Sequence, residues 1–278
     1  MDAVQYCLDK AAPLGSNAYY ALLWLPPAAK AQVVALLALR QELLDIPAKV
    51  SDGQLGLTKL NWWRDEIRRT AAGSAQHPVS MVLQPLLAER ADMVAELRRM
   101  SDGIELLLQT GRINDDQALQ LLCHQLGATP WKLAAQIVAT CSPAEAGYAA
   151  AIGDGLHLLE MLQQLSHAAQ RGLVLAPVSM LQRHGLTVER LAAGDGGAGF
   201  AALAAEIGAA VRAHFALARA QLAGRTPRAL RFLAAEMKMA EATLGEIERD
   251  GLANLQQRRI SLTPLRKLWI SWKTVRFG

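Results

Sequence analysis

The chain has 278 residues, of which 52% are apolar and 5% aromatic, and a formal charge of +4. That charge is too small to point to nucleic acid by itself, and no zinc-finger spacing, RNP-like aromatic run or glycine-rich phosphate loop is present. The three cysteines, Cys7, Cys123 and Cys141, are scattered and odd in number, so a reducing, cytoplasmic setting is expected rather than a disulfide framework or a zinc site.

Helical periodicity runs through long segments and strand alternation through none, which predicts an all-α fold. Residues 1–20 read as a lead-in helix broken at Pro13-Leu14-Gly15, with Ser16 or Asn17 capping its successor. Pro26-Pro27 restarts the chain into a helix over 32–46, where Pro47 is expected to stop it. After a loop at Ser51-Asp52-Gly53, residues 57–73 form an amphipathic helix closed by Gly73. His77-Pro78 opens a helix to about Leu87, followed by helices over 92–108, 115–127 and 131–141 and one long segment over 144–170. Residues 171–177 read as an extended connector into a short helix over 178–184, and residues 192–199 as a glycine-rich loop. Helices over 200–222, 227–248 and 262–275 complete the chain. No signal peptide, bilayer-length apolar run or internal repeat is expected, so residues 1–278 read as one domain of about ten helices.

The residues alone give no catalytic constellation. In the Trp62–Glu66 stretch, Trp63 and Ile67 read as core and Arg64, Asp65 and Arg68 as a solvated face. Asp92 and Glu96 lie among Arg90, Arg98 and Arg99, which points to intrahelical ion pairs. Glu42 and Asp45 are three apart and could share one cation. Asp154, His157 and Glu160 drift off a single helix face, which argues against a metal site. His124 and His167, on apolar helices, read as satisfied core partners. The tail interleaves Arg258, Arg259, Arg266, Lys267, Lys273 and Arg276 with Leu262, Leu265, Leu268, Trp269, Ile270 and Trp272. It is either a packing helix with a solvated basic face or a contact for anionic lipid or a membrane protein.

Six stretches in order carry a family resemblance: Ser16–Pro27, Ala38–Asp45, Leu60–Ile67, His77–Val79, Leu121–Trp131 and Leu158–Pro177. Together they resemble the squalene/phytoene synthase family, the head-to-head prenyl synthases. The resemblance implies a single-domain isoprenoid-synthase-type helical bundle around a central cavity. In such enzymes two aspartate-rich helices hold magnesium on a prenyl diphosphate. Carried over by position, the first motif keeps Asp45 alone, with Leu44 and Ala48 at its flanking carboxylate positions. In the second, Glu160 replaces an asparagine, Gln163 an arginine, and Gln164 and Ala168 the two aspartates. Cys123, Thr129, Arg171 and Gly172 persist, while His124 replaces a tyrosine. At Ala38-Leu39-Arg40, Glu42-Leu43, Leu255-Gln256-Gln257 and Ser271-Trp272-Lys273 the chain is most similar to the divergent branch that contains the mitochondrial assembly factor for respiratory complex I.

The resemblance therefore implies a retired catalyst with no metal or other cofactor, acting as an assembly or scaffolding factor for a membrane-associated respiratory complex, cytoplasmic and peripheral on the inner membrane. Tyr20, Glu42, Asp45, His124, Glu160 and Gln164 are expected to line a cavity open to an isoprenoid or quinone. Arg266, Lys267, Trp269, Trp272 and Lys273 are expected at the membrane or partner surface. The alternatives are an isoprenoid-lipid binding protein, or an active prenyltransferase that condenses prenyl diphosphates with magnesium held by Glu42, Asp45 and Glu160.

Overall fold

Capping residues set where the first helices begin, in a computed structural model that describes residues 2–50, 52–222 and 224–278. Asp2 accepts from the Val4 N–H to open α1 (Ala3–Ala11), and Ser16 accepts from the Tyr19 N–H to open α2 (Asn17–Leu22). Pro27 begins α3 (Pro27–Lys49), where a missing first-turn N–H costs nothing. Asp52 caps α4 (Gly53–Ala71), and His77 caps α5 (Pro78–Glu89). The loop expected at 51–53 is thus reduced to its cap; Ser51 lies outside the described residues.

The chain continues through α6 (Ala91–Thr110) and α7 (Asp116–Cys123) into a π-turn at His124–Ala128, and then α8 (Thr129–Val138). A capping box between Ser142 and Glu145 opens α9 (Pro143–Leu162). The remaining helices are α10 (Leu165–Gln170), α11 (Val178–Arg183), α12 (Val188–Ala193), α13 (Gly197–Gln221), α14 (Arg231–Asp250) and α15 (Pro264–Phe277). Among the described residues there is no strand, only one bridge, from Arg112 between α6 and α7 to Val174 in the extended connector.

Several expectations change, and the glycine-rich loop expected over 192–199 shrinks to residues 194–196 between α12 and α13. Pro47 does not stop α3: it falls within the last turn, and the helix runs on to Lys49, with the Val50 N–H reaching the Ile46 carbonyl. The long segment over 144–170 is two helices. At Gln163-Gln164 the chain tightens into a three-residue turn, Gln164 N–H to Met161 carbonyl, before restarting as α10. Finally, α13 is long and apolar enough by length and composition to cross a membrane. Its apolar stripe, Phe200, Leu203, Ile207, Val211 and Phe215, is buried within this fold, where the helix packs along α9.

Helix α3 forms the centre. Val33 through Arg40 are buried without a break, because α1, α5 and α8 all pack against it. Burying each large aliphatic side chain contributes about 1.5–3 kcal/mol. Helix α9 lies against α8, the π-turn and α13. It approaches the π-turn at Gly153: a Cβ there would lie 2.3 Å from the Gly127 carbonyl oxygen, so the backbones meet only with glycine. That contact lets α9 and the π-turn approach closely, beside the space between α9 and α3.

Candidate functional site

Six of the seven positions carried over from the aspartate-rich motifs line one cleft, and the seventh, Gln163, lines an adjoining chamber. Leu44, Asp45 and Ala48 come from α3; Glu160, Gln164 and Ala168 come from α9, the turn after it and α10. The cleft holds about 850 Å³ of atom-free space, its open mouth included. Its deeper wall is apolar, built from Leu107, Ile113, Leu122, Leu126, Met161 and Leu173. The chain thus brings the two motif regions face to face, but only two of the six side chains are acids.

Each of those acids already has a cation from the chain itself. Lys10 Nζ lies 2.7 Å from Asp45 Oδ2 and 2.8 Å from Glu42 Oε1. Asp45 also accepts from Lys49 at 2.6 Å and Gln41 at 2.9 Å, and Glu42 accepts from the Tyr6 hydroxyl at 2.6 Å. Burial alone would push the Asp45 carboxyl up, but the Lys10, Lys49 and Gln41 hydrogen bonds together hold it below its ordinary range. Burial would likewise push Lys10 down, and its two carboxylate partners raise it overall. Burial and the Glu42 hydrogen bond push Tyr6 up to about 12.

Across the cleft, Glu160 is held by Arg40 of α3, which is 8% exposed and makes three contacts. Its Nε donates to the Leu126 carbonyl, and its Nη2 reaches Glu160 Oε2 at 2.7 Å and His157 Nδ1 at 2.9 Å. The π-turn presents that carbonyl, since its i→i+5 pattern displaces carbonyls from the ordinary ladder. An arginine can only donate, so His157 Nδ1 carries a lone pair and the ring is neutral. Burial first, and then the neighbouring Arg40 charge, brings His157 down to about 4. Burial opposes ionisation of Glu160, but Arg40 prevails and its carboxyl is lowered.

A magnesium–diphosphate group needs several oxygen anions converging on one point. Here Leu44, Ala48 and Ala168 offer none, and Lys10 fills the point between Glu42 and Asp45. Among the described residues no group of three or more His, Cys, Asp or Glu side chains is placed to hold a metal ion. This donor set does not fit magnesium–diphosphate.

A second, more polar chamber adjoins the first through Gln41, Glu160 and Gln164, with about 1480 Å³ of atom-free space, open mouth included. Glu236 of α14 and Lys267 of α15 line it. Glu236 is 6% exposed, and its Oε2 has no hydrogen-bond partner among the described residues. Lys267 is buried and donates to the Gly15 carbonyl at 2.7 Å and to Ser261 Oγ at 2.9 Å.

Several expected site residues lie elsewhere. Tyr20 packs with Ala235, Met239 and Leu262 in a small satellite core. His124 is exposed, sharing the outward stripe of its helix with Leu121, and His167 is exposed at the cleft mouth rather than in the core. Lys267 is a further correction: it lies on the inward stripe of α15 with Ser271 and Thr274, not on the outer surface. Trp269, Trp272 and Lys273 are exposed, with Leu265 and Phe277 beside them. Arg266 is exposed but paired with Glu246. Glu66, to which the sequence reading of the Trp62–Glu66 stretch assigns no role, is fully buried and accepts from the backbone N–H groups of Gln76 and His77 at 2.7 and 2.8 Å. Lys10, Arg40, His157 and Glu236 were not legible as a group, because each pairs with or faces residues far along the chain.

The squalene/phytoene synthase family profile matches residues 12–266. A 137-residue stretch is 31% identical to the phytoene synthase of Thermus thermophilus, covering 49% of this chain and 46% of that protein. The chain thus matches about half the length of that relative. Among solved structures, the chain is similar to squalene synthase HpnC from Alicyclobacillus acidocaldarius, with 19% identity, a TM-score of 0.74 and coverage of 90% of this chain and 94% of that one. It is similar to a dehydrosqualene synthase solved with a ligand, with 15% identity, a TM-score of 0.79 and coverage of 99% and 96%. It is also similar to YisP from Bacillus subtilis, with 15% identity, a TM-score of 0.66 and coverage of 97% and 95%. These likenesses show the isoprenoid-synthase fold.

Proposed function

The chain belongs to the squalene/phytoene synthase family, and on that premise we propose that it works without prenyl transfer, as an assembly or scaffolding factor for a membrane-associated respiratory complex. The observation that carries this reading is the pairing of Glu42 and Asp45 with Lys10, and of Glu160 with Arg40. A departing diphosphate carries roughly three negative charges, which a metal or a converging set of cations must stabilise. Here the carboxylates that would hold the metal are neutralised by side chains of the chain itself, and the facing positions are apolar or amide.

The contact surface in this reading is the outer face of α15. Leu265, Trp269, Trp272 and Phe277 are exposed there beside Lys273 and Arg276, and the helix carries no acidic residue. Aromatic rings with basic neighbours suit a bilayer headgroup region or the membrane-proximal face of a partner. The apolar deeper wall of the cleft supports a second reading, in which the chain also binds an isoprenoid lipid.

The test is incubation of purified protein with labelled farnesyl diphosphate and magnesium, following diphosphate release and lipid product beside an active family member. No turnover is expected. Turnover that Asp45→Asn abolishes would overturn the non-catalytic reading. The assembly role is tested by deleting the gene in its host and measuring assembled complex I in membranes. Full assembly without the protein counts against it.

A further inference from the structure

We propose that a third chamber, lined by α1, α3, α4 and the cap of α5, binds a small planar aromatic anion, with its ring against Trp62 and Trp63 and its charge on Lys59 and Lys49. The site lies outside the cleft between α3 and α9, and it stands whether or not the chain transfers prenyl groups.

Four helices contribute to the chamber. Lys10 comes from α1, Lys49 from the last turn of α3, and Lys59, Trp62 and Trp63 from α4, while His77 is the cap of α5. It holds about 700 Å³ of atom-free space, open mouth included. Among the described residues none from α9, α10, α14 or α15 lines it, which sets it apart from both chambers described above.

Its aromatic wall is fixed by its own neighbours. Trp63 meets His77 with ring centroids 4.7 Å apart, and Trp62 meets Trp63 at 5.1 Å, each pair edge to face. Arg69 lies over Trp62 at 5.5 Å from the ring centroid, and buried Glu66 holds that guanidinium in turn. Trp62 still keeps 40% of its surface exposed, whereas Trp63 keeps 5%. An indole locked in place yet partly open is a platform for another ring, and aromatic pairs gain beyond the area they bury.

The charges beside that wall select an anion. Three lysines and two carboxylates line the chamber, a formal excess of one positive charge. Both carboxylates are already answered. Lys10 bridges Glu42 and Asp45, Lys49 adds a bond to Asp45, and the Tyr6 hydroxyl donates to Glu42. Lys59 is exposed and has no carboxylate partner among the described residues. Lys49, whose side chain is 64% exposed, spends one of its three N–H bonds on Asp45. His77 adds a neutral donor: its Nδ1 accepts from the Val79 N–H at 3.3 Å and burial lowers its pKa, so the ring carries its proton on Nε2. A cationic ring would meet three ammonium groups and no unpaired carboxylate. An anionic ring meets an open indole, an unpartnered lysine and a second lysine with donors to spare, the apolar wall with few polar groups that small-ligand sites share.

The experiment titrates the full chain with benzoate, phenyl phosphate, cyclohexanecarboxylate and benzylamine, following binding by calorimetry and by saturation-transfer NMR. The better of the two aromatic anions is expected to bind at least about tenfold more tightly than benzylamine and about threefold more tightly than cyclohexanecarboxylate. Which of the two is better identifies the anionic group. Trp62→Leu is expected to weaken that binding at least about fivefold, and Lys59→Gln about threefold, the modest share of one exposed charge. Both side chains are exposed, and thermal unfolding of the variants shows that the fold is kept. Arg259→Gln, which removes a cation from the polar chamber instead, is expected to leave the affinity unchanged. Affinity lost in that variant, benzylamine binding as tightly as the anions, unchanged binding by Trp62→Leu, or no binding of either aromatic anion at millimolar concentration would each overturn the assignment.

Discussion

Arg40 donates to Glu160 at 2.7 Å, tying α3 to α9 across the cleft between them. The same guanidinium also holds the Leu126 carbonyl of the π-turn, so one side chain joins three segments. Truncating it leaves a buried carbonyl and a carboxylate without their donor. Arg40→Met is expected to cost about 3 kcal/mol of stability, and Glu160→Gln about 1–2 kcal/mol. Urea unfolding measures both, and an Arg40→Met midpoint equal to that of the parent chain would show that the tie holds nothing together.

Lys10 stands where a cation shared by Glu42 and Asp45 would stand. Removing it should restore an appetite for an external cation. Lys10→Ala is expected to lose about 1–2 kcal/mol, and millimolar magnesium should recover part of that loss in the variant while leaving the parent melting temperature unchanged. The pH dependence has a definite sign. Asp45 is lowered in the fold, so its contribution is present above the ordinary carboxylate range and is lost as pH falls through its lowered value. Lys10 is raised, so its contribution persists below the ordinary ammonium range and is lost only as pH rises beyond it. Lys10→Ala should therefore unfold less steeply in acid. Equal magnesium responses in both proteins would place any cation elsewhere.

The helices were largely legible because their signals are local. Ser16, Asp52, His77 and Ser142 accept from N–H groups two or three residues ahead, a relation visible in the sequence itself. The gathering of Leu44, Asp45, Ala48, Glu160, Gln164 and Ala168 in one cleft was legible through resemblance alone, since no local rule joins α3 to α9. The pairings that decide the chemistry were not legible. Arg40 and Glu160 are 120 positions apart, and Lys10 and Asp45 are 35 apart. Lys267 reads as a surface cation until its acceptor, the Gly15 carbonyl 252 positions away, is known. The π-turn also left no sequence mark, although it presents the Leu126 carbonyl to Arg40.

The buried titratable groups of the two chambers predict a pH profile. Glu236, raised to about 8, contributes stability that is full below the ordinary glutamate range and is lost as pH rises through 8. His157, lowered to about 4, acts in the opposite direction: its contribution is full above 6.5 and is lost as pH falls through 4. Asp154, raised to about 6 by burial, follows the sense of Glu236 but levels off at lower pH. The opposing slopes overlap between about 4.5 and 6.5, and above that Glu236 acts without opposition from His157. Stability should therefore decline between about pH 6.5 and 8, and Glu236→Gln should remove the decline. Melting temperatures across that range measure it, and a decline that survives the substitution would assign it to another group.

The last prediction concerns α15, where Trp269 and Trp272 lie with ring centroids 5.2 Å apart on the exposed face. Lys273 and Arg276 flank them without partners of opposite charge among the described salt bridges, whereas Arg266 is occupied by Glu246. If this face meets anionic lipid, the protein should sediment with vesicles of phosphatidylserine and phosphatidylcholine and much less with phosphatidylcholine alone, with salt weakening the association. Each basic residue near such a surface contributes about 1 kcal/mol, so Lys273→Glu and Arg276→Glu should each weaken binding at least about fivefold. Arg266→Glu should cost less at the membrane, because that charge is already answered, and more in stability, because it places two glutamates together. Trp269→Ala with Trp272→Ala should remove the salt-resistant part of the binding. Vesicle binding unchanged in the double tryptophan variant would move the contact away from α15, and with it the proposed surface for a membrane-bound partner.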